Sequence, residues 1–521
     1  MDVYWKDRPE RSDGDMPDDG VPDDAVLRSP LPGRPVDVAV IGAGVTGLST
    51  ALMLQRAGRS VAIVEASEVA ALASGANTGK ASVLQGSRLR RIRRSHSAAV
   101  TRAYVEANLD GQAWLAEFIA EQEVPVAYET AYSYAQSEAG LDVVRAEFDA
   151  AREAGLPVEL VDRMPVPFPF AGGVALERQL ALDPYRLMLE LARAFVAAGG
   201  VLVTGVRVLD VHAGDPVALE TDQGELRARD VVVATATPIL DRGLYFAKTR
   251  HSRSYIASFR VDDPPTPGLF LSVDQPTRSV RTAPPHPEAG AAGLQLIVSG
   301  NEHPVGRTAS AAARDEDLVR WTRRYFPGAE LTHRWSAQDY ESLNLVPFAG
   351  RLPRGRGRVW FATGYAKWGL TNGAAAALRI SAEILGEPWR EQRPWIRTLG
   401  TRVTAPSDLG RGIAENATVA RELVAGWARA ETRSAPVRRP GEGDGVVASR
   451  GGVPVGVSTV DGRTCAVRAI CTHLGGVVQW NDAEKTWDCP LHGSRFEASG
   501  RLIEGPAVRD LPATDRPAGE L

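Results

Sequence analysis

Three cysteines in 521 residues are too few for a disulfide framework, so this fold does not depend on cross-links. Two of them, Cys471 and Cys489, sit beside histidines. The third, Cys465, reads as a small apolar residue in a strand. Histidine is also scarce, with eight copies, so a pair placed next to cysteines is informative. No stretch approaches the roughly 18 uninterrupted apolar residues of a membrane-spanning helix, and no membrane span is expected. A strong charge of one sign is missing too. The formal net charge of −4 supplies no basic face, and no nucleic-acid partner is expected. The first 35 or so residues are rich in Asp and Pro and hold no apolar segment fit for a signal peptide, so the chain reads as cytoplasmic.

What is present is an ordinary globular composition, 44% hydrophobic and 24% charged, on a chain long enough for two to four domains. Residues 1–36 read as a flexible lead segment in which Tyr4 and Trp5 could dock on the body. Residues 37–390 alternate apolar and amphipathic segments, as a mixed α/β body does. Residues 391–437 form a linker with one helix, over about 412–430. Its apolar positions Ile413, Val419, Leu423, Val424 and Trp427 suit a buttress at a domain junction. Residues 438–521 carry short β-type runs broken by Gly and Asp, the pattern of a small all-β domain.

Residues 38–41 form an apolar strand leading straight into Gly42, Gly44 and Gly47 in a G-x-G-x-x-G turn. A helix follows, then a second strand ending at Glu65. This is the context a dinucleotide site requires. Gly42 permits the turn, Gly44 lets a pyrophosphate approach the backbone, and Gly47 allows close helix–strand packing. The helix N-terminus offers unpaired N–H groups to phosphate, and Glu65 is placed to accept hydrogen bonds from a ribose diol. These residues alone do not separate FAD from NAD.

Near the other end, Cys471-x-His473 and Cys489-x-x-His492 each present one thiolate and one imidazole. Zinc and iron both accept such donors. Structural zinc sites usually group their cysteines and group their histidines. Here the two types interleave, which resembles the Rieske [2Fe–2S] centre. That resemblance implies Cys471 and Cys489 on one iron and His473 and His492 on the other. The respiratory versions add a cysteine to each loop; Gly476 and Leu491 stand there instead, and Phe496 replaces a nearby Tyr, while Ser494 remains as a donor. Fewer donors imply a lower potential. The remaining histidines, His96, His212, His251, His286, His303 and His333, show no facial-triad spacing, which counts against a Rieske oxygenase.

Most of residues 37–385 resembles the D-amino-acid-oxidase-like flavoproteins, the superfamily of glycine and sarcosine oxidases. Residues 73–79, with Ser74 and Thr78, resemble the loop that approaches the flavin. Residues 182–184 and 205–208, ending at Val208, resemble the stretch that meets the adenine, and residues 231–235 the strand returning to the nucleotide. Residues 361–373, with Gly364, Gly369, Leu370 and Thr371, resemble the C-terminal flavin-binding turn and helix. The whole chain resembles bacterial FAD-dependent oxidoreductases of glycine-oxidase type with a C-terminal Rieske domain.

The resemblance implies an α/β FAD-binding Rossmann-like domain with an interleaved antiparallel-sheet substrate domain, plus a small all-β Rieske domain. It implies FAD and a [2Fe–2S] cluster as cofactors, and a small amine or amino-acid-like substrate oxidised at a C–N bond. Electrons would then leave through the cluster to an external acceptor, a ferredoxin-like protein or a quinone. The alternative is a redox relay, exchanging electrons with an external donor or acceptor, without an organic substrate of its own. Candidate catalytic residues are Lys80, Lys367 and Tyr365, with Trp368 as an aromatic wall and Arg253, beside Tyr255, as a clamp for a substrate carboxylate. The basic run 88–94 reads as an exposed helix face, with docking of an acidic carrier as the sharper alternative.

Overall fold

The apolar strand Val36–Ile41 pairs in parallel with Val61–Val64 on one side and Gly224–Val233 on the other. Its last four residues are buried, as a central parallel strand covered on both faces requires. In this computed structural model the described residues are 2–7, 29–262, 266–283, 294–388, 390–400, 406–432 and 438–514. Among them, the first sheet has eight strands, its main path running Phe348–Arg351, Val359–Thr363, Gly224–Val233, Val36–Ile41, Val61–Val64 and Val201–Val203. The helices Val45–Arg56 and Gly369–Leu385 pack together on it.

A second sheet of nine strands is built from segments that alternate along the chain with those of the first. Its edge strand Glu330–Ser342 lies antiparallel to Thr249–Val261 over the full length of both. The body is therefore a Rossmann-like domain with an interleaved, largely antiparallel second domain, as expected. The C-terminal region forms two small antiparallel sheets. Gly445–Arg450, Val453–Val460 and Arg463–Arg468 make one; Gln479–Asn481, Thr486–Asp488, Arg495–Glu497 and Leu502–Glu504 make the other. No helix among the described residues is long and apolar enough to cross a membrane.

At its start the lead segment docks on the body, as the sequence allowed for Tyr4 and Trp5. Tyr4 and Trp5 are buried, and the Trp5 indole N–H donates to the Asn77 carbonyl at 2.8 Å. Two aromatic rings outweigh the entropy of fixing a short turn. Residues 8–28 and His286 lie outside the described residues.

The helix Pro406–Glu431 touches both parts of the molecule. Glu415 pairs with Arg250 and Arg307, and the Trp427 indole donates to the Gly475 carbonyl beside the cysteine–histidine loops. Val419 and Leu423 pack on the C-terminal core. Ile413 and Val424, expected on the same face, are 63% and 70% exposed. The helix is held through a narrower stripe and through ion pairs. The basic run also differs from expectation. Arg88 is buried against Glu341 and the Leu345 carbonyl, Arg91 pairs with Glu341, and Arg93 pairs with Glu153. The difference is confined to Arg88, which is buried; Arg93 and Arg94 are exposed, as a helix face read from the sequence implies.

Candidate active site and metal centre

One cavity of about 500 Å³ runs along the junction of the two large sheets. At one end lie Gly42, Gly44, Glu65 and Val208; Ser74 and Thr78 lie along its side. Gly42 has φ +106°, and a Cβ there would sit 2.6 Å from the Ala234 carbonyl oxygen. Gly47 is behind the turn, where a Cβ would meet the Gly42 carbonyl oxygen at 1.9 Å. Only glycine allows that helix–strand approach. The Glu65 carboxylate accepts from the Ala43 and Ser67 amides at 2.8 and 2.9 Å, which fixes it at the cavity rim. The Ser74 hydroxyl accepts from the Val45 amide at 3.1 Å.

The same cavity carries the other expected residues. Gly364, Tyr365, Lys367 and Trp368 line it, followed by Gly369 and Leu370 at the start of the helix Gly369–Leu385. Thr371 lies one step deeper, buried, donating to Asn108 at 2.6 Å. The helices Val45–Arg56 and Gly369–Leu385 both begin at the cavity, and neither Gly44 nor Trp368 before them supplies a capping side chain. Two positive helix ends thus face one space, a favourable setting for an anionic ligand. Ala366 and Lys367 both have positive φ, +53° and +73°, a backbone strain of the kind stored at functional turns.

Lys80 is buried in the cavity wall, its ammonium donating to the Phe270 carbonyl at 3.3 Å and to the Ser279 hydroxyl. Burial, with Arg281 adding repulsion, pulls it down to about 7. Lys367 pairs instead with Glu302, and the Tyr365 hydroxyl shares a hydrogen bond with Thr46 at 2.8 Å. Asp339 lines the same cavity and was not foreseen. Burial raises its carboxyl to about 7, although it accepts from the Lys367 amide. No local pattern hints at this, since Ala337, Gln338 and Tyr340 of the same strand also line the cavity.

Arg253 takes a different place from the one expected. On the strand Thr249–Val261, Ser254 and Ile256 face the cavity, so Arg253 and Tyr255 face away. The Arg253 guanidinium is fully buried against Glu484 of the C-terminal region, with Ser336 at 2.7 Å and Gln338 at 2.8 Å. Tyr255 bonds His303 at 3.0 Å. Arg253 holds the two regions together and cannot clamp a ligand in the cavity.

The C-terminal loops bring Cys471, His473, Cys489 and His492 together. The Cys471 thiol is held below its usual range chiefly by a hydrogen bond from Cys489; both cysteines are free and belong to one buried cluster. The His473 and His492 rings lie 5.2 Å apart, and Phe246 meets both edge-on at 4.9 and 4.8 Å. Among the described residues no three His, Cys, Asp or Glu side chains surround a single point. A two-iron cluster needs no such convergence, since each iron takes two protein ligands. A Cβ on Gly476 would lie 2.6 Å from the Leu491 side chain, so the two loops pack directly on each other at these positions.

The cluster loops are seated on the edge of the nine-stranded sheet. Gln338 donates to the Gly493 carbonyl at 2.8 Å, Arg307 to the Pro490 carbonyl at 2.7 Å, and the outer His473 nitrogen meets Asp241 at 3.1 Å. From the same region, residues 501–508 form part of the wall of the large cavity.

Comparison with known proteins agrees with this geometry. Residues 37–383 match the family model "FAD dependent oxidoreductase", and residues 432–515 match "Rieske [2Fe-2S] domain". YhfW of Bacillus subtilis, described as a Rieske 2Fe-2S iron-sulfur protein, is 27% identical over 495 residues, covering 92% of this chain and 93% of that protein. The chloroplastic cytochrome b6-f iron-sulfur subunit of Arabidopsis thaliana is 54% identical over 48 residues, only 9% of this chain and 21% of that protein. Glycine oxidase from Geobacillus kaustophilus shares the fold of the large body, with a TM-score of 0.57 at 18% identity over 69% of this chain and 96% of that one.

FAD and a [2Fe–2S] cluster are the cofactors of these two families. The residues present fit both. The Ser254 hydroxyl is buried without a partner in the cavity, which also takes two helix starts. His492 Nδ1 is likewise buried without a partner, and burial with the nearby His473 and Arg307 keeps its ring neutral down to about pH 3. Neutral imidazoles and paired cysteines, ionised to thiolates on binding, are what a Rieske-type cluster takes as ligands. With the match spanning most of its length, the chain belongs to the FAD dependent oxidoreductase family and carries a Rieske [2Fe-2S] domain at its C-terminal end.

Proposed function

We propose that the protein oxidises a small amine or amino-acid-like substrate at a C–N bond and passes the electrons to an external acceptor. The observation that carries this reading is one cavity shared by the dinucleotide turn, the Lys80–Asp339 region and the Rieske segment 501–508. When bound, the flavin takes a two-electron equivalent and the cluster releases electrons singly. Cys471, His473, Cys489 and His492 serve as cluster ligands, and a ferredoxin-like protein or a quinone as the acceptor. The setting in this reading is the cytoplasm.

The chain's own part is acid–base chemistry and positioning. An amine must lose its ammonium proton before oxidation, and a base near neutrality is suited to accept it. Lys80 and Asp339, both near 7, are the groups placed to hold that proton. Anaerobic titration with a panel of amines and amino acids should bleach the flavin and then reduce the cluster. Response to a chemical reductant alone, with none to any amine, sinks the proposal. The bleaching rate should rise as pH passes about 7, and Lys80→Met should abolish that rise. A rise that survives in Lys80→Met and vanishes in Asp339→Asn assigns the proton to Asp339 instead.

Asp241 should set the cluster's potential. A carboxylate on the outer nitrogen of His473 makes the imidazole a stronger donor and favours the oxidised cluster. Asp241 is 59% exposed, so the interaction is worth about 1 kcal/mol or less, or ~10–40 mV for one electron. Asp241→Asn should therefore raise the midpoint potential by that amount in an EPR-monitored titration. A potential that falls or stays put removes Asp241 from this role.

A further inference from the structure

We propose that the Rieske domain is also part of the FAD-binding site. Its segment 501–508 forms a wall of the dinucleotide cavity, so that FAD is held between the two domains. The inference concerns FAD affinity and stands whether or not the substrate is an amine.

The oxidoreductase domain supplies the Gly42–Gly44 turn, the Glu65 rim and Arg207 to this end of the cavity, and the Rieske domain faces them with its last hairpin. In the strand Leu502–Glu504 the burial pattern separates two faces. Leu502 is packed in the Rieske core, while Ile503 is half-buried and lines the cavity. Val508 lines it a few residues on.

The segment is fastened on both sides. Arg207 donates to the Leu502 carbonyl at 3.0 Å, and the Tyr340 hydroxyl meets Glu504 at 3.2 Å and the Gly505 carbonyl at 3.3 Å. A Cβ on Gly505 would stand 3.5 Å from Ile239, ordinary contact distance. From the other side, the Ala507 amide donates to the Ser494 hydroxyl at 3.0 Å, and the Ser494 carbonyl accepts from the Cys489 amide at 2.8 Å. One short segment therefore touches the cluster loop and the dinucleotide cavity at once. Arg207 is drawn into the same arrangement. It is one of two arginines lining this cavity among the described residues, beside Glu65 and near Arg501 of the Rieske domain. Its guanidinium is held by the Rieske backbone, so docking of that domain also fixes a cation at the nucleotide end.

The pyrophosphate of FAD is anionic, and a carboxylate placed on the opposing wall opposes its binding. The test uses full-length protein, deflavinated and titrated with FAD by flavin fluorescence. Ile503→Asp and Val508→Asp are expected to weaken FAD binding about tenfold or more, and Ile503→Leu to leave it within about twofold. The cluster's visible and EPR spectra should be unchanged in all three. Wild-type FAD affinity in the two Asp variants overturns the proposal. A second measurement needs no substitution. Hydrogen exchange of the wild-type chain should slow across 501–508 on adding FAD, together with residues 42–47. Protection at 42–47 with none at 501–508 overturns the proposal, and protection at neither overturns the FAD site itself.

Discussion

Glu484→Gln is expected to destabilise the protein by about 3–5 kcal/mol, the cost of removing one partner from a buried ion pair. Glu484 sits in the Rieske domain with its side chain 10% exposed and faces Arg253, which is 0% exposed, across the domain junction. It also binds Arg495 at 2.6 Å, itself 10% exposed, and accepts from the Ser336 hydroxyl at 2.6 Å. Glutamine keeps the shape and removes the charge. Arg495 retains Asp488 at 3.5 Å and Glu504 at 3.9 Å, while Arg253 keeps only the neutral Ser336 and Gln338 contacts described above. The penalty therefore falls mainly on Arg253, a full cation left in a dry junction. Thermal or denaturant unfolding of the two proteins at neutral pH measures it. A difference below about 1 kcal/mol would mean that water reaches the junction.

The same pair has a pH signature. Burial by itself would raise the Glu484 carboxyl, but Arg253 and Arg495 overcome it and hold the group down to about 2, against an ordinary 4.5. A depressed folded value means the unfolded chain binds more protons, so the stabilisation is complete above about 4.5 and is lost as pH falls through 2. Glu147, Asp339 and Glu504 are shifted the other way, each up to about 7 by burial. These three shifts are common to wild type and Glu484→Gln and so cancel from the difference between the two proteins. The wild-type advantage over Glu484→Gln should accordingly shrink between pH 4.5 and 2.

Arg253 also shows where reading the sequence stopped working. The glycine turn was legible because everything that explains it lies within a few residues: Gly42 must turn and Gly47 must admit the Gly42 carbonyl. The cysteine–histidine loops were legible for the same reason, since interleaved ligand order is a local property. Arg253 was recognised as a cation on a strand, but the face it presents and its partner 231 residues away are products of sheet register and domain docking. Asp339 was invisible because a carboxylate in a strand looks exposed until a second sheet covers it. Lys80 was identified by position, whereas its lowered affinity for a proton comes from burial and from Arg281, 201 residues on in the chain. The helix Pro406–Glu431 failed in the opposite direction. Its apolar residues span more of the circumference than the interface uses, so Ile413 and Val424 remain outside.

Cys489→Ala is expected to remove the cluster altogether, with the largest effect on function of any single substitution in the Rieske domain. One iron would keep a single thiolate, Cys471, and no other cysteine can take over, because Cys465 lies on the strand Arg463–Arg468 outside the loops. The consequence should extend past the metal. Ligand binding by these loops is coupled to their folding, so an empty site releases the free energy that holds them closed. Those loops carry the Pro490 and Gly493 carbonyls that dock on Arg307 and Gln338, and Ser494, which anchors Ala507. Loosening them should weaken the junction and the cavity wall together. The measurement is therefore threefold: loss of the Rieske EPR signal, a lower unfolding midpoint, and faster release of FAD than from wild type. Loss of the signal with midpoint and FAD release unchanged would show that the cluster is an electron carrier only, and that the loops hold their shape without it.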